Sequence, residues 1–406
     1  LDILNAIQTP AYLLSPIEYM RIAYTSLELC LTAGLSALSA KVFVTHGLLL
    51  CGAFSRFEEG SAFAALAIQV NRHYPSEAIH VEIEFTRNVS ICHWTAPLKT
   101  TLKPLEQNFY HGIECGSIEY AAHSALFQSM HSLLSGKGLS ACQTLFTRHI
   151  EVMKNKKQHY QLIMMQVWQQ LISSLQDDKT TKNNLQGEYF DEALQLPILI
   201  ETQNVTTLFT YHLARMIQAY LFNDLTQAYA QMQLAQPYQN SVVSLYHFGE
   251  FHFYAALIRA EYCRHKTAEQ QDNDYHENVA QIKTSLELIE QWADSSAQNY
   301  RHKAKMVRAE LQFLLQDPAA WHSYDQAIAL AHQHSAPHHL ALANELAGNY
   351  WLAANKKLPA KEHYQQACHS YQAWGANHKA QQLLRLRQSL LVTPRHSGDN
   401  LPSKQQ

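Results

Sequence analysis

Apolar residues recur along most of the chain every three or four positions, which is the spacing of one face of an α-helix. In the segment IEYAAHSALFQSMHSLL, residues 118–134, this spacing gives one broad stripe made of Tyr120, Leu126, Phe127, Met130, Leu133 and Leu134. Helix-sized units of this kind are separated by short turn signals at 135–138, 222–224, 316–318 and 356–359. The pattern therefore predicts an all-α protein of consecutive helices joined by short turns.

The segment AIHVEIEF, residues 78–85, fits two structures. Its apolar residues alternate with polar ones, as in a β-strand: they are Ile79, Val81, Ile83 and Phe85. The same residues also form two rows on a helix, and Ser76 is placed to cap its first turn. Helices are expected on both sides and no partner strand is apparent, so we predict a helix.

An internal repeat relates the segments 317–331 and 358–371 at an interval of 40 residues. The recurring residues are small–large–small triplets: Ala320, Tyr324 and Ala327, then Ala360, Tyr364 and Ala367. Because such positions share one helix face, the alanines admit a neighbouring helix and the tyrosine fills the gap. Trp351 supplies a large residue from the preceding helix. Helix pairs stacked in this way predict a TPR-like α–α superhelix, a solenoid of antiparallel pairs.

Two polar breaks, at 176–188 and 266–278, interrupt the helical pattern, and the sequence leaves open whether either is a hinge. The first break is a predicted linker between an N-terminal helical-repeat half, residues 1–175, and a C-terminal TPR-like half, residues 189–391. The final residues, 392–406, are polar and contain Pro and Gly, which predicts a disordered tail or linker.

Composition narrows the possible functions. Only 13 of 406 residues are glycine, about 3% against a usual ~7%, which disfavours phosphate-binding loops. With a formal charge of -3 and only short basic runs, the chain has no stripe suited to nucleic acid. Seven cysteines without C-x-x-C spacing are typical of reduced thiols in a cytoplasmic protein. The longest apolar stretch, 42–54, is too short for a membrane span.

Motifs of common enzyme classes are missing from the sequence. There is neither a kinase catalytic loop with D-F-G nor an esterase-like G-x-S-x-G. The segment SGKGL, 135–139, resembles a P-loop, but Gly138 stands where Ser or Thr would bind Mg²⁺, so it indicates a turn. His276 and Glu277 lack the basic residue and proline of a phospho-accepting histidine motif. We expect no catalytic residue and no cofactor in this chain.

Histidine is abundant, with 24 residues, and one segment, 331–341, holds four of them. These four are weak candidates for a Zn²⁺ or Ni²⁺ site: His332, His334, His338 and His339. The segment surrounds Pro337 at a predicted helix–helix turn, where exposed histidine is ordinary, and no Cys or carboxylate lies nearby before Glu345. We therefore expect turn residues and no metal.

Two other segments combine reactive residue types. In CHWTAPL, 92–98, Trp94 is expected to pack at a helix end and Pro97 to begin the next element. In HFGEFHFY, 247–254, His247 and His252 lie on different helix faces, so a common site is not expected. Both segments are predicted to be structural.

Five segments occur in a fixed order: EIEFTRNVSICHWTAPL (82–98), GIECGSIEYAAHSA (112–125), FTYHLARMIQAYLFND (209–224), ALANELAGNYWLA (341–353) and YQAWGANHKAQQL (371–383). Together they resemble the helical middle region of large bacterial multidomain signalling proteins, and the resemblance runs from about residue 1 to 391. In that family a serine/threonine-kinase-like domain and an AAA/STAND-type ATPase precede the helical region. GAF or PAS sensing and a histidine kinase or nucleotide cyclase follow it.

The resemblance implies that this chain is a helical arm between an ATPase module and an output module. The family's catalytic activities belong to parts that are not in this sequence. Because the chain begins with Leu1 rather than Met, we expect it to be a piece of a longer protein.

Three functions are compatible with the sequence. The favoured one is a non-catalytic scaffold that binds a protein partner or neighbouring domains, or relays a signal between such domains. Solenoids use a concave surface for binding, and the helices predicted at 301–314 and 341–353 would present partner-binding candidates there: His302, Lys305, Gln312, Glu345 and Asn349. The alternative is a small-molecule effector-sensing superhelix of a STAND-type regulator. The third, a stand-alone enzyme, lacks a converging nucleophile, base and glycine loop.

Overall fold

The computed structural model describes residues 1–177, 184–266 and 273–388. Within these ranges every regular element is helical, and β-structure is limited to one isolated bridge between Gln186 and Asp191. The predicted all-α class is confirmed. The α-helices of these ranges are α1 (Asp2–Leu14), α2 (Pro16–Ala33), α3 (Ser39–Phe54), α4 (Phe57–His73), α5 (Glu77–Thr86), α6 (Leu102–Glu114), α7 (Ile118–Leu134), α8 (Leu139–Asn155), α9 (His159–Gln176), α10 (Glu192–Glu201), α11 (Val205–Leu221), α12 (Leu225–Ala235), α13 (Tyr246–Arg264), α14 (Asn273–Ser295), α15 (Ala297–Leu314), α16 (Ala320–Gln333), α17 (Pro337–Ala353), α18 (Lys357–Trp374) and α19 (Asn377–Leu386).

Helices that follow one another in the chain pack as pairs, most extensively α3 with α4, α11 with α12, α15 with α16 and α17 with α18. Alternate helices also touch, α11 with α13, α13 with α15 and α15 with α17, so the pairs stack on one another. This is the arrangement of a helical-repeat superhelix.

The segment whose pattern fitted two structures is helix α5, as predicted, and Ser76 accepts a hydrogen bond from the Ile79 backbone N–H at 3.5 Å. Four helices, α3, α4, α6 and α7, pack around α5. They bury both of its rows, and Val81 and Ile83 are fully inaccessible. Burial on two faces explains why a helix carries apolar residues at alternate positions.

The repeat tyrosines lie between helices. Tyr364 is buried and its hydroxyl donates to Asn349 Oδ1 at 2.8 Å, while a Cβ at Gly348 would lie 2.7 Å from its ring. Tyr324 is likewise buried, and its hydroxyl donates to the Glu310 carboxylate. The four repeat alanines are fully buried: Ala320, Ala327, Ala360 and Ala367. Trp351 is half-buried.

Turns occur at several of the predicted positions. Gly136, Asn223 and Gln316 each adopt a left-handed backbone, with φ of 82°, 62° and 57°, between consecutive helices. The signal at 356–359 instead coincides with the start of α18. Of the predicted breaks and tail, residues 178–183, 267–272 and 392–406 lie outside the described residues.

The N-terminal half packs directly against the C-terminal half. Asn299 of α15 donates to the carbonyls of His93 and Ala96 at 2.8 and 2.9 Å and accepts from the Leu98 N–H at 2.9 Å. At the other end, the Trp374 indole donates to the Lys137 carbonyl at 3.1 Å, and α9 contacts α11 and α19. The face of the superhelix that carries α15 and α19 is therefore covered by the chain itself.

Trp94 is buried at the end of a short 3₁₀ turn, Cys92–Trp94, and stacks on Phe57 with 5.0 Å between centroids. Pro97 caps the next 3₁₀ turn, Leu98–Thr101, as predicted. All seven cysteines are free thiols. None of the described helices combines the length and the apolar character that crossing a membrane requires.

Candidate functional site

A buried ion pair lies where the two halves meet. Lys303 of α15 is fully buried, and its ammonium donates to the Glu250 carboxylate and, at 2.9 Å, to the Tyr246 hydroxyl. The ammonium also lies 4.6 Å from the Tyr246 ring centroid and 5.3 Å from that of Tyr300. Burial lowers the pKa of Lys303, and the Glu250 carboxylate opposes that shift. The pair is stable as a unit because each charge compensates the other.

Glu250 connects this ion pair to a chain of histidines. Its Oε2 atom lies 3.9 Å from His339 Nε2, and His339 Nδ1 lies 2.8 Å from His302 Nε2. The rings of His338 and His339 lie 3.8 Å apart between centroids and are tilted by 33°. Burial lowers the pKa of all three histidines, that of His338 to about 3, and the Lys303 charge adds to the shift. These imidazoles are therefore neutral near pH 7.

A second group of histidines lies on the other side of Tyr246. The His93 ring meets Tyr246 edge-on at 5.6 Å and its Nε2 contacts the Ser244 carbonyl at 3.0 Å, while His131 Nδ1 contacts the Thr101 hydroxyl at 2.8 Å. Neither nitrogen of His247 has a hydrogen-bond partner among the residues that the structure describes. Burial lowers the pKa of His93 and of His247 to about 3. Histidines from both halves thus surround one tyrosine.

A small cavity opens beside the first histidine group. Its walls come from residues 97–99, the end of α7, the start of α13, helix α15, the turn between α16 and α17, and the start of α17. The volume of the cavity is about 30 Å³, which is room for about two waters or a small ion. Among the described residues that line it, none is Asp or Glu, and the charged, amide and imidazole side chains are Lys99, Gln298, Asn299, His302, His334, His338 and His339.

A different kind of surface occurs on α10. Its residues Leu194, Ile198 and Ile200 are 68%, 55% and 56% exposed, although Leu199 between them is buried. A shallow groove of about 280 Å³ runs between α10 and residues 184–186. Leu194 and Ile198 lie one turn apart on the same face, and exposed apolar residues grouped beside a groove can mark a binding surface.

No family model matches this chain, and no curated protein is significantly similar to it.

Two of the predicted partner-binding residues are in the core. His302 is 2% exposed and bonded to His339, so the interpretation of His302 as a docking residue is corrected. Glu345 is 5% exposed, accepts from Lys379 Nζ at 2.7 Å and from the Tyr371 hydroxyl at 2.8 Å, and is corrected in the same way. The physical reason is that α17, α18 and α19 cover rows that an open superhelix would expose.

The other three predicted partner-binding residues are half-buried. Gln312 accepts from the Ser323 hydroxyl at 2.6 Å, and Asn349 Oδ1 accepts from Tyr364 and, at 2.9 Å, from Arg387. Lys305 lies on the same helix as Gln312. Together with His302 and Glu345, these residues do not form one open surface.

The four clustered histidines have different environments. His332 is exposed, His334 is half-buried, and His338 and His339 line the cavity. Across the described ranges, no three or more His, Cys, Asp or Glu side chains are grouped so that they could hold a metal ion.

Sequence reasoning missed Lys303, Glu250 and Lys99. A signal was present for the first, because Lys303 occupies the apolar spacing between Tyr300 and Val307, both fully buried. A charged residue in such a row indicates either that the helix is assigned wrongly or that the residue is half of a buried ion pair. Lys99 carries no comparable signal, since its place at the cavity depends on contacts about 200 residues away.

Proposed function

We propose that this chain is a non-catalytic helical-repeat scaffold of the cytoplasm that binds a protein partner, or a neighbouring domain of a longer signalling protein. The observation that carries the proposal is the apolar outer surface of α10. The inner rows of the superhelix are occupied by the chain's own helices, so docking is assigned to an outer face. Helix α10 offers apolar residues one turn apart, Leu194 and Ile198, beside a groove.

The charge around α10 indicates what the partner is like. Residues 184–204 contain no Lys, Arg or His, and four acidic residues lie in and beside the helix: Glu188, Asp191, Glu192 and Glu201. Glu192 is paired with Arg215 of α11, so Glu188, Asp191 and Glu201 make up the acidic rim that we propose. An apolar row beside such a rim is complementary to an amphipathic helix whose apolar face is flanked by Lys and Arg. A basic amphipathic helix is therefore the partner we propose for this surface.

The connections of α10 suit it to relaying a signal. The Glu192 carboxylate lies 3.5 Å from Arg215 Nε of α11 and accepts from the Leu185 N–H at 3.0 Å. Asn204 caps α11 directly after α10, and α11 is buried against α9, α12 and α13. A displacement of α10 by a bound partner would thus reach the central helices through α11.

The test uses two synthetic amphipathic peptides of about 18 residues, five helical turns, one Leu/Lys and one Leu/Glu. Fluorescence anisotropy should show the Leu/Lys peptide binding at least about tenfold more tightly, since its charge complements the acidic rim. Replacing both apolar residues, Leu194→Ser with Ile198→Ser, should weaken binding by about tenfold or more.

The matched control is Leu358→Ser, which changes a residue of α18 that is 69% exposed. It should bind the peptide like the unchanged protein. Equal binding of both peptides, or equal loss in the α10 variant and the control, would contradict the proposal.

A second function, effector sensing, is favoured by a separate observation. The cavity between the halves is polar, lacks a carboxylate and is lined by parts of the chain far apart in sequence. A ligand there would contact both halves at once.

A further inference from the structure

We propose that the cavity between the two halves binds inorganic phosphate in its hydrogen phosphate form. The ligand is held by Lys99, by His302 of α15 and by His334 of the turn between α16 and α17. The inference deepens the effector-sensing function and does not depend on docking at α10.

The charges around the cavity favour an anion. Lys99 lines it, and the Arg301 and Lys99 charges both act on His334, whose pKa burial and these cations lower. Lys303 lies behind His302 and His339. The carboxylate that faces the histidine chain, Glu250, is already engaged by Lys303. A site with cations on two sides and no free carboxylate in its lining attracts negative charge.

Unsatisfied nitrogens in the lining show where a ligand would bind. His302 is 2% exposed, yet its Nδ1 has no hydrogen-bond partner in the part of the chain that the structure describes, and the same holds for Nδ1 of His334. Buried polar atoms in native proteins almost always have a partner, supplied by protein, water or a bound group. Both residues line the cavity, so a group bound there can supply what they lack.

The histidine chain determines which hydrogen bond His302 can make. The Glu250 carboxylate favours the tautomer of His339 with its proton on Nε2, because that N–H faces the negative charge. Nδ1 of His339 then accepts from the Nε2–H of His302, which leaves Nδ1 of His302 without a proton. This nitrogen needs a donor, while Lys99 needs an acceptor.

Hydrogen phosphate supplies both, since it carries one O–H and three acceptor oxygens. Sulfate has nearly the same shape but has no proton at neutral pH, so it cannot donate to His302. The volume available suits a small ion. Phosphate selected over sulfate is therefore the distinguishing property of this site.

Gly136 explains part of the cavity's shape. It adopts φ of 82°, and a Cβ there would lie 2.5 Å from His338 Nδ1 and 2.9 Å from Pro337. The SGKG turn of the N-terminal half thus packs on the histidine turn of the C-terminal half. An ion in the cavity beside this contact touches both halves and stabilises their association.

The experiment is isothermal titration calorimetry of the complete chain with phosphate and with sulfate, at pH 7.5 and constant ionic strength. Phosphate should bind, and sulfate should bind at least about tenfold more weakly, the equivalent of one lost hydrogen bond to a buried group. The α10 variants should bind phosphate like the unchanged protein, which separates this test from that of the scaffold function.

Two variants test the residues. Lys99→Gln should weaken phosphate binding about tenfold through loss of a charge-assisted hydrogen bond, and His334→Gln should also weaken it. Lys103→Gln is the matched control, because Lys103 is also exposed, lies one helical turn further on and does not line the cavity. Both Lys99 and His334 are accessible enough that the fold should persist, as circular dichroism would show.

Three results would overturn the inference: no heat of binding with 10 mM phosphate, sulfate binding as tightly as phosphate, or equal affinities in Lys99→Gln and Lys103→Gln.

Discussion

Two buried lysine–glutamate pairs in this protein have the same components and different surroundings. Lys379 and Glu345 form one, with the Tyr371 hydroxyl on the second carboxylate oxygen at 2.8 Å. Lys303 and Glu250 form the other, with Tyr246 on the ammonium. The first pair belongs entirely to α17, α18 and α19. The second is surrounded by histidines from both halves and lies beside a cavity.

This difference distinguishes a polar group that only stabilises the packing of helices from one that is also available to bind a ligand. At Glu345 both carboxylate oxygens have close partners, so the polar group serves the fold alone. Near Glu250, His302 and His339 share one hydrogen bond, and among the described residues Nδ1 of His302 has no hydrogen-bond partner. An incomplete network that persists in a folded core indicates a place for another group.

The largest expected effect is a loss of folding stability when the pH is lowered. It should arise first at the histidine-rich contact between the two halves. Burial holds the pKa of His93, His247 and His338 near 3, whereas an unfolded imidazole titrates at about 6.5. Below pH 6.5 the unfolded chain takes up protons that the folded chain does not. Stability is therefore fully present above pH 6.5 and falls as the pH decreases toward 3, by about 2 kcal/mol per histidine at pH 5.

Urea unfolding at pH 7.5, 6.5 and 5.5 measures this dependence. His247→Phe should reduce it, because both nitrogens of His247 lack partners and its neighbours include Phe127 and Phe209. His332→Gln changes an exposed histidine and should leave the dependence as it was. An unaltered slope in His247→Phe would show that this histidine is not protonated on unfolding.

The next largest effect comes from removing one charge of a pair. Lys303→Met leaves Glu250 buried without a cation, and should lower the free energy of unfolding by about 3–5 kcal/mol. Adding Glu250→Leu should restore part of that loss, because no unpaired charge then remains. Denaturant unfolding of the single and double variants measures both quantities. A double variant no more stable than Lys303→Met would argue against ion pairing as the source of the effect.

Lys379→Met sharpens the comparison. It should lower stability by a similar amount, about 3–5 kcal/mol, because Glu345 is also buried. Where the variant remains folded at low temperature, its phosphate affinity should equal that of the unchanged protein. Weaker phosphate binding in Lys379→Met would mean that the two regions are not independent.

A smaller effect is expected at the turn that meets the histidines. Gly136→Ala should lower stability by about 2–3 kcal/mol, since it combines a left-handed backbone with a collision at His338. Gly116→Ala is the matched control: φ is 81° there, but a Cβ would have nothing within 4 Å, so only about 1–2 kcal/mol is expected. Thermal unfolding compares them, and equal losses would mean that His338 moves aside freely.

The smallest effect is expected on the outer face. Ile198→Ser alone should change the free energy of unfolding by no more than about 0.5 kcal/mol, because the side chain is already 55% exposed. A loss of 2 kcal/mol or more in denaturant unfolding would mean that the α10 surface belongs to the core.

The helical period was enough to predict the fold class, including α5, because burial on two faces still leaves rows of apolar residues. It also identified Tyr324 and Tyr364 as members of one repeat. Periodicity shows which residues share a face but not which segment covers that face. For this reason the sequence pattern predicts that His302 and Glu345, which share helix rows with other polar residues, lie on the concave binding surface.

The candidate site depends on contacts that a local pattern does not encode. The prediction of a turn at Gly136 is confirmed, whereas His338 and His339, predicted as exposed turn residues, lie in the first turn of α17 with His339 buried. Nothing in the sequence near either segment indicates that the two meet. Their contact spans about 200 residues and follows from how the two halves pack. Lys99 reaches the same cavity for the same reason.

The contacts of Asn299 have a consequence for biosynthesis. They join residues separated by 201 to 206 positions. In an ordinary solenoid each repeat can fold as it leaves the ribosome, because it touches only its neighbours. Here the segment around Trp94 waits for its partner while about 200 further residues are translated, about 10–40 s at ~5–20 residues per second. During that interval a chaperone has access to a surface that the finished molecule conceals.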